Sequence, residues 1–214
     1  CKLAIDNGLV ASGAFTTQSS EVAVRNSLGV FAYAPATYAD LSTVIMSEDS
    51  SGYAGTTSTD VRDLGPERVG RKAVDKALRS RNPQSMGPGD YTVILEEDAV
   101  ATLLSYLSYL GFGALAVQEG RSFMANRFGQ RITGENISIW DDGLDETGLP
   151  GPFDSEGVPK QRVDLITDGV AKAVVYDTYT AGKEGARSTG HALPAPNPYG
   201  QLPSNLFMKP GDHS

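Results

Sequence analysis

Residues 162–176 read RVDLITDGVAKAVVY. Two β-prone runs, Arg162–Thr167 and Val170–Tyr176, flank Asp168-Gly169, a pair that takes the positive φ values a two-residue hairpin turn demands. The segment predicts an antiparallel hairpin. Upstream, Ile137–Trp140 reads as another strand, joined to the hairpin by an acidic, Gly- and Pro-rich loop over 141–157. Downstream, the last 25 residues hold five prolines and no hydrophobic period, and read as an irregular tail.

The remainder supplies helices and more strands. Glu96-Glu97-Asp98 places negative charge in the first turn of a helix, and Val100, Leu103, Leu104 and Leu107 recur at core-facing spacing until Gly111 and Gly113 end it. A further short helix is predicted over Arg121–Phe128, closed by Gly129. Before these, Tyr91–Leu95 is a continuous apolar run that reads as a buried strand. Pro66 and Glu67 open a helix whose apolar face is Val69, Ala73, Val74, Ala77 and Leu78, and Asn82-Pro83 stops it. In the first third, Ser12–Thr17, Glu21–Arg25, Val30–Tyr33 and Leu41–Met46 alternate as half-buried strands around a turn at 26–29, which predicts an antiparallel meander. The fold class is α+β, an antiparallel β-rich sheet packed with a few helices.

Composition excludes more than any one motif adds. The 214 residues are 40% hydrophobic and 21% charged, as in a globular protein, with two histidines, His191 and His213, and a single cysteine, Cys1. A multi-histidine zinc site and a disulfide framework are excluded. The net charge of −8 and the absence of a basic stripe argue against direct nucleic-acid binding. Arg68, Arg71, Lys72, Lys76, Arg79 and Arg81 read as the wet face of a helix. No apolar window is long enough to span a membrane. A chain that begins with Cys1 rather than Met reads as a cut fragment, with a lipid-anchored mature terminus as the alternative.

Acidic clusters at 96–98, at Asp141-Asp142 with Asp145-Glu146, and at Asp154 with Glu156 are candidate chemistry. The helix dipole accounts for the first. The second lacks the glycine and closing glutamate of a calcium loop and reads as solvated. Ser188-Thr189-Gly190-His191 sets a hydroxyl beside a histidine, but sequence neighbours seldom face each other productively. Tyr106 and Tyr109, with Ser105 and Ser108, form a face apart from the leucine stripe, open to packing, a second interface or a pocket.

Eight stretches occur in one order: VRNSLGVFAY (24–33), ERVGRKAVDKAL (67–78), GPGDYTVIL (87–95), SFMANRFGQRI (122–132), ISIWDDG (137–143), GPFDSEGVP (151–159), LITDGV (165–170) and ARSTGHALP (186–194). Together they resemble the TldD/TldE (PmbA) family, once described as modulators of DNA gyrase. TldD-type members are zinc peptidases acting on short or unfolded peptides. Their His-Glu-x-x-x-His helix provides two zinc ligands and a glutamate that activates water, and a further cysteine ligand lies in the later, C-terminal domain. In the family the motif follows a Leu-Leu pair; here Leu103-Leu104 is the equivalent, so the motif positions are Ser105, Tyr106 and Leu110. The resemblance therefore implies a TldE/PmbA-like, non-catalytic subunit of a heterodimer, with no metal or cofactor of its own. Zinc would sit in a TldD-like metallopeptidase partner. It further implies a cytoplasmic protein with no membrane and no direct nucleic-acid role. Residues 1–85 would be the central part of the family fold, and 86–214 the start of a truncated C-terminal domain. An N-terminal α/β domain would precede Cys1 and more β structure follow Ser214. Asp154, Glu156, Gly157, Ser188, Thr189, Gly190 and His191 are the peptide-binding candidates. The alternatives are an independent ligand-binding or scaffold protein of the same fold, and a zinc-independent hydrolase using carboxylates or Ser188 with His191.

Overall fold

The computed structural model describes residues 2–211, so Cys1 and His213 lie outside the described residues. Two compact units emerge. One comprises residues 2–20 and 35–100, and the other residues 21–34 and 101–211.

The first unit holds helix α1 (Lys2–Asp6), most of strands β1 (Val10–Arg25) and β2 (Phe31–Met46), strand β3 (Ser51–Ser58) and helix α2 (Pro66–Arg79). The sheet order is β1-β2-β3, with β2 antiparallel to β3 in unbroken register from Ala39↔Ser58 to Met46↔Ser51. The expected meander is present, with strands longer than the alternating runs indicate. β1 runs without a break through Thr17–Glu21, and β2 runs through Pro35. A hairpin paired along one side satisfies enough backbone groups to carry a proline that periodicity alone reads as a break. β3 carries no apolar alternation, because Gly52 and Ala54 turn their small faces to a helix.

That helix is α2. Pro66 occupies its first turn, and Val69, Ala73, Val74 and Ala77 form the buried stripe against Ile45, Ala54, Leu9 and Ala4. Gly52 permits the contact: a Cβ there would collide with the Ala73 carbonyl. The cationic face of α2 is only partly wet. Lys72 pairs with Glu97 and, at 3.1 Å, with Asp98; Lys76 reaches Glu96 at 2.6 Å and Asp98 at 3.2 Å. The 96–98 cluster thus serves as a counter-charge to α2 as well as to its own helix dipole. Hydrogen bonding to Glu97 raises the Lys72 pKa, and Lys72 in turn lowers that of Glu97.

The predicted buried strand at Tyr91–Leu95 is not formed. These residues pair with no strand and lie exposed, Ile94 at 96%. A β-prone sequence becomes a strand only where a neighbour offers a ladder, and no described strand lies against this run.

The second unit is built on a four-stranded sheet of order β6-β5-β4-β7: β4 (Ile139–Asp142), β5 (Arg162–Thr167), β6 (Val170–Ala171) and β7 (Leu206–Met208), with antiparallel pairs throughout. The Asp168-Gly169 hairpin forms, with φ of 48° and 77°, but β6 ends at Ala171 rather than Tyr176. Helix α3 (Glu97–Gly111) lays Leu104 and Leu107 against a core of Phe112, Met124, Ile139, Leu165, Val174 and Val175, while Leu103 faces out. The helix expected at 121–128 is a series of turns. Asn126 sits at φ 58°, and the Ser122 hydroxyl accepts from Met124 N while donating to the Gly111 carbonyl. The helical turn falls earlier, in α4 (Ala114–Gln118). Helix α5 (Thr178–Glu184) is capped by Asp177 and stopped by Gly185 at φ 66°. The segment read as an irregular tail is an integral part of the unit: His191, Gln201 and Asn205 are buried, and β7 pairs with β4.

Candidate functional site

In β4 buried and half-buried residues alternate, so Ile139 and Asp141 both face inward. The solvated-loop reading fails for Asp141, which has no exposed surface. A buried carboxylate must be met by donors, and Asp141 receives three. Its Oδ1 accepts from the Ser204 and Asn205 backbone N–H groups, each at 2.7 Å. Its Oδ2 lies 2.7 Å from His191 Nε2. Burial pushes the Asp141 pKa up, but the His191 hydrogen bond, the Asn205 and Ser204 amides and the His191 charge outweigh it and hold it below the ordinary value. The carboxylate is therefore ionised, and His191 Nε2–H donates to it.

The other ring nitrogen, Nδ1, is 2.9 Å from Thr189 Oγ1. A hydroxyl, an imidazole and a carboxylate thus stand in line, as in a nucleophilic triad. Their surroundings assign them to anchoring. Thr189 Oγ1 already accepts from Tyr176 N at 2.8 Å, and Ser188 Oγ donates to the Tyr176 carbonyl instead of turning to His191. His191 is also buried.

Of the candidate peptide-binding residues, the structure gathers most along one wall. Asp154 Oδ1 accepts from Glu156 N and Val158 N, and its Oδ2 accepts from Ala192 N at 2.9 Å. Ser155 N and Gln161 N donate to the Ala192 and Thr189 carbonyls, so segments 154–161 and 188–192 run side by side. Gly190, at φ 77°, lies so close to the Pro159 carbonyl that no side chain fits. Glu156 turns away and accepts from Thr178 N and Oγ1 at the start of α5. Gly157 forms a seat for the hairpin tip: a Cβ there would come 2.6 Å from Val30 Cγ1.

Sequence reasoning missed Asp141, Asn205, Lys160 and Tyr176 as parts of this region. Asn205 Nδ2 donates to the Asp142 and Asp145 carbonyls, and its Oδ1 accepts from Leu149 N. Lys160 Nζ donates to Ser204 Oγ at 2.7 Å; burial lowers its pKa, against the raising pull of Asp141 and Asp154. Tyr176 OH donates to Glu184, and burial together with that carboxylate pushes its pKa up to about 12. A signal for Asp141 was present: continuing the period-two pattern of Ile137–Trp140 by one residue puts it on the inner face.

The degenerate motif positions lie on α3, apart from this wall. Ser105 is exposed and donates back to the Ala101 carbonyl, Tyr106 is 63% exposed, and Leu110 is also exposed. A hydroxyl engaged with its own helix, a phenol and a hydrocarbon do not fit zinc. Among the described residues, no group of three or more His, Cys, Asp or Glu side chains could hold a metal ion.

Residues 2–81 match the PmbA/TldA metallopeptidase central domain, and residues 88–214 match the PmbA/TldA metallopeptidase C-terminal domain. The chain belongs to the PmbA/TldD family. This PmbA/TldD-family chain is 33% identical to an uncharacterised protein of Methanocaldococcus jannaschii over 89% of its own length and 45% of the relative's. It is 29% identical to the metalloprotease PmbA of Escherichia coli over 84% of its length and 41% of that protein. It thus spans less than half of these curated relatives. Among solved structures, a Thermotoga maritima protein named as a proposed modulator of a DNA gyrase superposes with a TM-score of 0.82 at 25% identity, covering 94% of this chain and 46% of that one. TldE from Thermococcus kodakarensis shares the fold, with a TM-score of 0.73 at 23% identity over 100% of this chain and 50% of that one. No helix of this family member is long and apolar enough to cross a membrane among the described residues.

Proposed function

We propose that the chain is part of a TldE/PmbA-like subunit, non-catalytic by itself, that supports peptide binding and proteolysis by a TldD-type zinc metallopeptidase partner in the cytoplasm. The observation that carries this reading is the chemistry of α3, where Ser105, Tyr106 and Leu110 stand at the positions assigned to the family's zinc motif. The commitment of His191 to Asp141 and Thr189 supports it, since that leaves no free imidazole among the described residues. In this reading, zinc and the water it activates belong to the partner. Residues 1–85 and 86–214 correspond to the central and C-terminal parts of the longer family architecture. Segments 154–161 and 188–192, held side by side by backbone hydrogen bonds, would form the wall along which an extended peptide lies. Nucleic acid has no role in it.

Co-expression with a TldD-type subunit, followed by cross-linking to a peptide carrying a photoreactive residue, tests the proposal. The expected result is a stable complex with cross-links into segments 154–161 or 188–192. A complex that never forms, or peptide cross-links confined to residues outside both segments, overturns it.

A further inference from the structure

Lys160 stands near the end of segment 154–161, and its side chain is laid down on the unit rather than left in solvent. Its Cβ, Cγ and Cδ lie over Gly143, where an added Cβ would come within 2.9 Å of all three. Its Nζ is held 2.7 Å from Ser204 Oγ, just ahead of β7. Among the described residues no carboxylate forms an ion pair with it. A charge drawn out of water ordinarily has a counter-charge. Lys72 and Lys76, also partly buried, each reach two carboxylates. Asp141 and Asp154 act on Lys160 only through space. The Asp141 oxygens are taken by the Ser204 and Asn205 amides and by His191. Those of Asp154 are taken by the Glu156, Val158 and Ala192 amides. Their pull does not offset burial, which leaves the Lys160 pKa below its ordinary value.

We infer that Lys160 and Ser204 form a subsite for a carboxylate of the bound peptide, an inference that rests on reading segments 154–161 and 188–192 as the peptide wall. An ammonium has three N–H donors and Ser204 takes one, so two remain. Ser204 Oγ accepts from Lys160 and still carries a hydroxyl proton that no acceptor among the described residues takes up. Ammonium and hydroxyl, 2.7 Å apart, can therefore both donate to one carboxylate. Ser204 is exposed, so the ligand reaches the pair from solvent. The pair is also held in place, because Ser204 N donates to the buried Asp141 at 2.7 Å. The missing counter-charge selects an anion over a neutral group. The two aspartate charges that act on Lys160 disfavour a doubly charged phosphate, which leaves a singly charged carboxylate.

Isothermal titration calorimetry of the chain with N-acetylated pentaalanine, as the free acid and as the C-terminal amide, tests the inference. Circular dichroism confirms that each variant is folded. The free acid is expected to bind about tenfold or more tightly than the amide, a difference of about 1.4 kcal/mol. Lys160→Met should abolish that preference and leave the affinity for the amide unchanged, while Lys160→Arg should keep most of it. Ser204→Ala should reduce the preference in part. An amide carrying one central glutamate distinguishes the source of the carboxylate. Affinity regained assigns the site to any peptide carboxylate, affinity not regained to the chain terminus, and the inference holds in both cases. Equal binding of acid and amide by the wild type, or a preference that survives in Lys160→Met, overturns the inference and leaves the peptide wall standing. Binding of neither peptide overturns both.

Discussion

His191 Nε2 and Asp141 Oδ2 lie 2.7 Å apart across fifty positions of sequence, and neither side chain has exposed surface. One carboxylate thereby holds three stretches of chain together: strand β4, the 189–191 segment, and the Ser204-Asn205 amides that lead into β7.

Removing either partner strands the other. Asp141→Ala and His191→Ala should each destabilise the second unit by about 3 kcal/mol, the scale for breaking a buried pair. The double variant should lose less than the sum of the two, with a coupling of about 1–3 kcal/mol. Denaturant unfolding of the four proteins measures this, and additive losses would contradict it.

The same pair sets an acid limit. The Asp141 pKa is depressed in the fold, so its stabilisation is fully present above the ordinary value of 3.8 and is lost as pH falls through the lower folded-state value. The stability gap between wild type and Asp141→Asn should stay constant from neutral pH down to the ordinary carboxylate range, then close below it. A gap that closes near neutrality would point to another group.

Backbone strain separates two glycines. Gly190→Ala must adopt φ near 77° and also meets the Pro159 carbonyl, so it should destabilise by about 2 kcal/mol or more. Gly120→Ala, at φ 69° with open space around it, should lose only about 1 kcal/mol. Thermal melts that rank the two in the opposite order would refute the assignment of 158–160 and 190 as a close-packed pair of segments.

Lys72 and Lys76 offer a salt-dependent contrast. Both are partly exposed, so replacing either with Met should reduce stability by only about 0.5 kcal/mol at low salt and by less at high salt. A loss that is large or insensitive to salt would show that the network does more than neutralise charge.

Local pattern made part of this molecule legible. Asp168-Gly169 specified its hairpin, because the turn chemistry lies in two adjacent residues. Helix α2 was readable because start, stripe and stop agree. Tyr91–Leu95 misled because strand formation depends on a neighbour, which composition does not report. The 121–128 segment misled because Asn126 in a left-handed conformation and the bridging Ser122 hydroxyl break a helix that propensity allows. His191 was visible as a residue, and its partner was not: the link to Asp141 is tertiary, and Asp141 sat among acids that resemble a solvated loop. The motif positions Ser105, Tyr106 and Leu110 were found through family resemblance, and their placement on the exposed side of α3 follows from Leu104 and Leu107 taking the core.

The most direct test of the central claim is peptide hydrolysis measured alongside zinc content, for the chain alone and for the chain with a TldD-type subunit. No turnover and no stoichiometric zinc are expected for the chain alone, and chelator-sensitive hydrolysis once the partner is present. Turnover of peptide by the chain alone, or one bound zinc per chain, would contradict it.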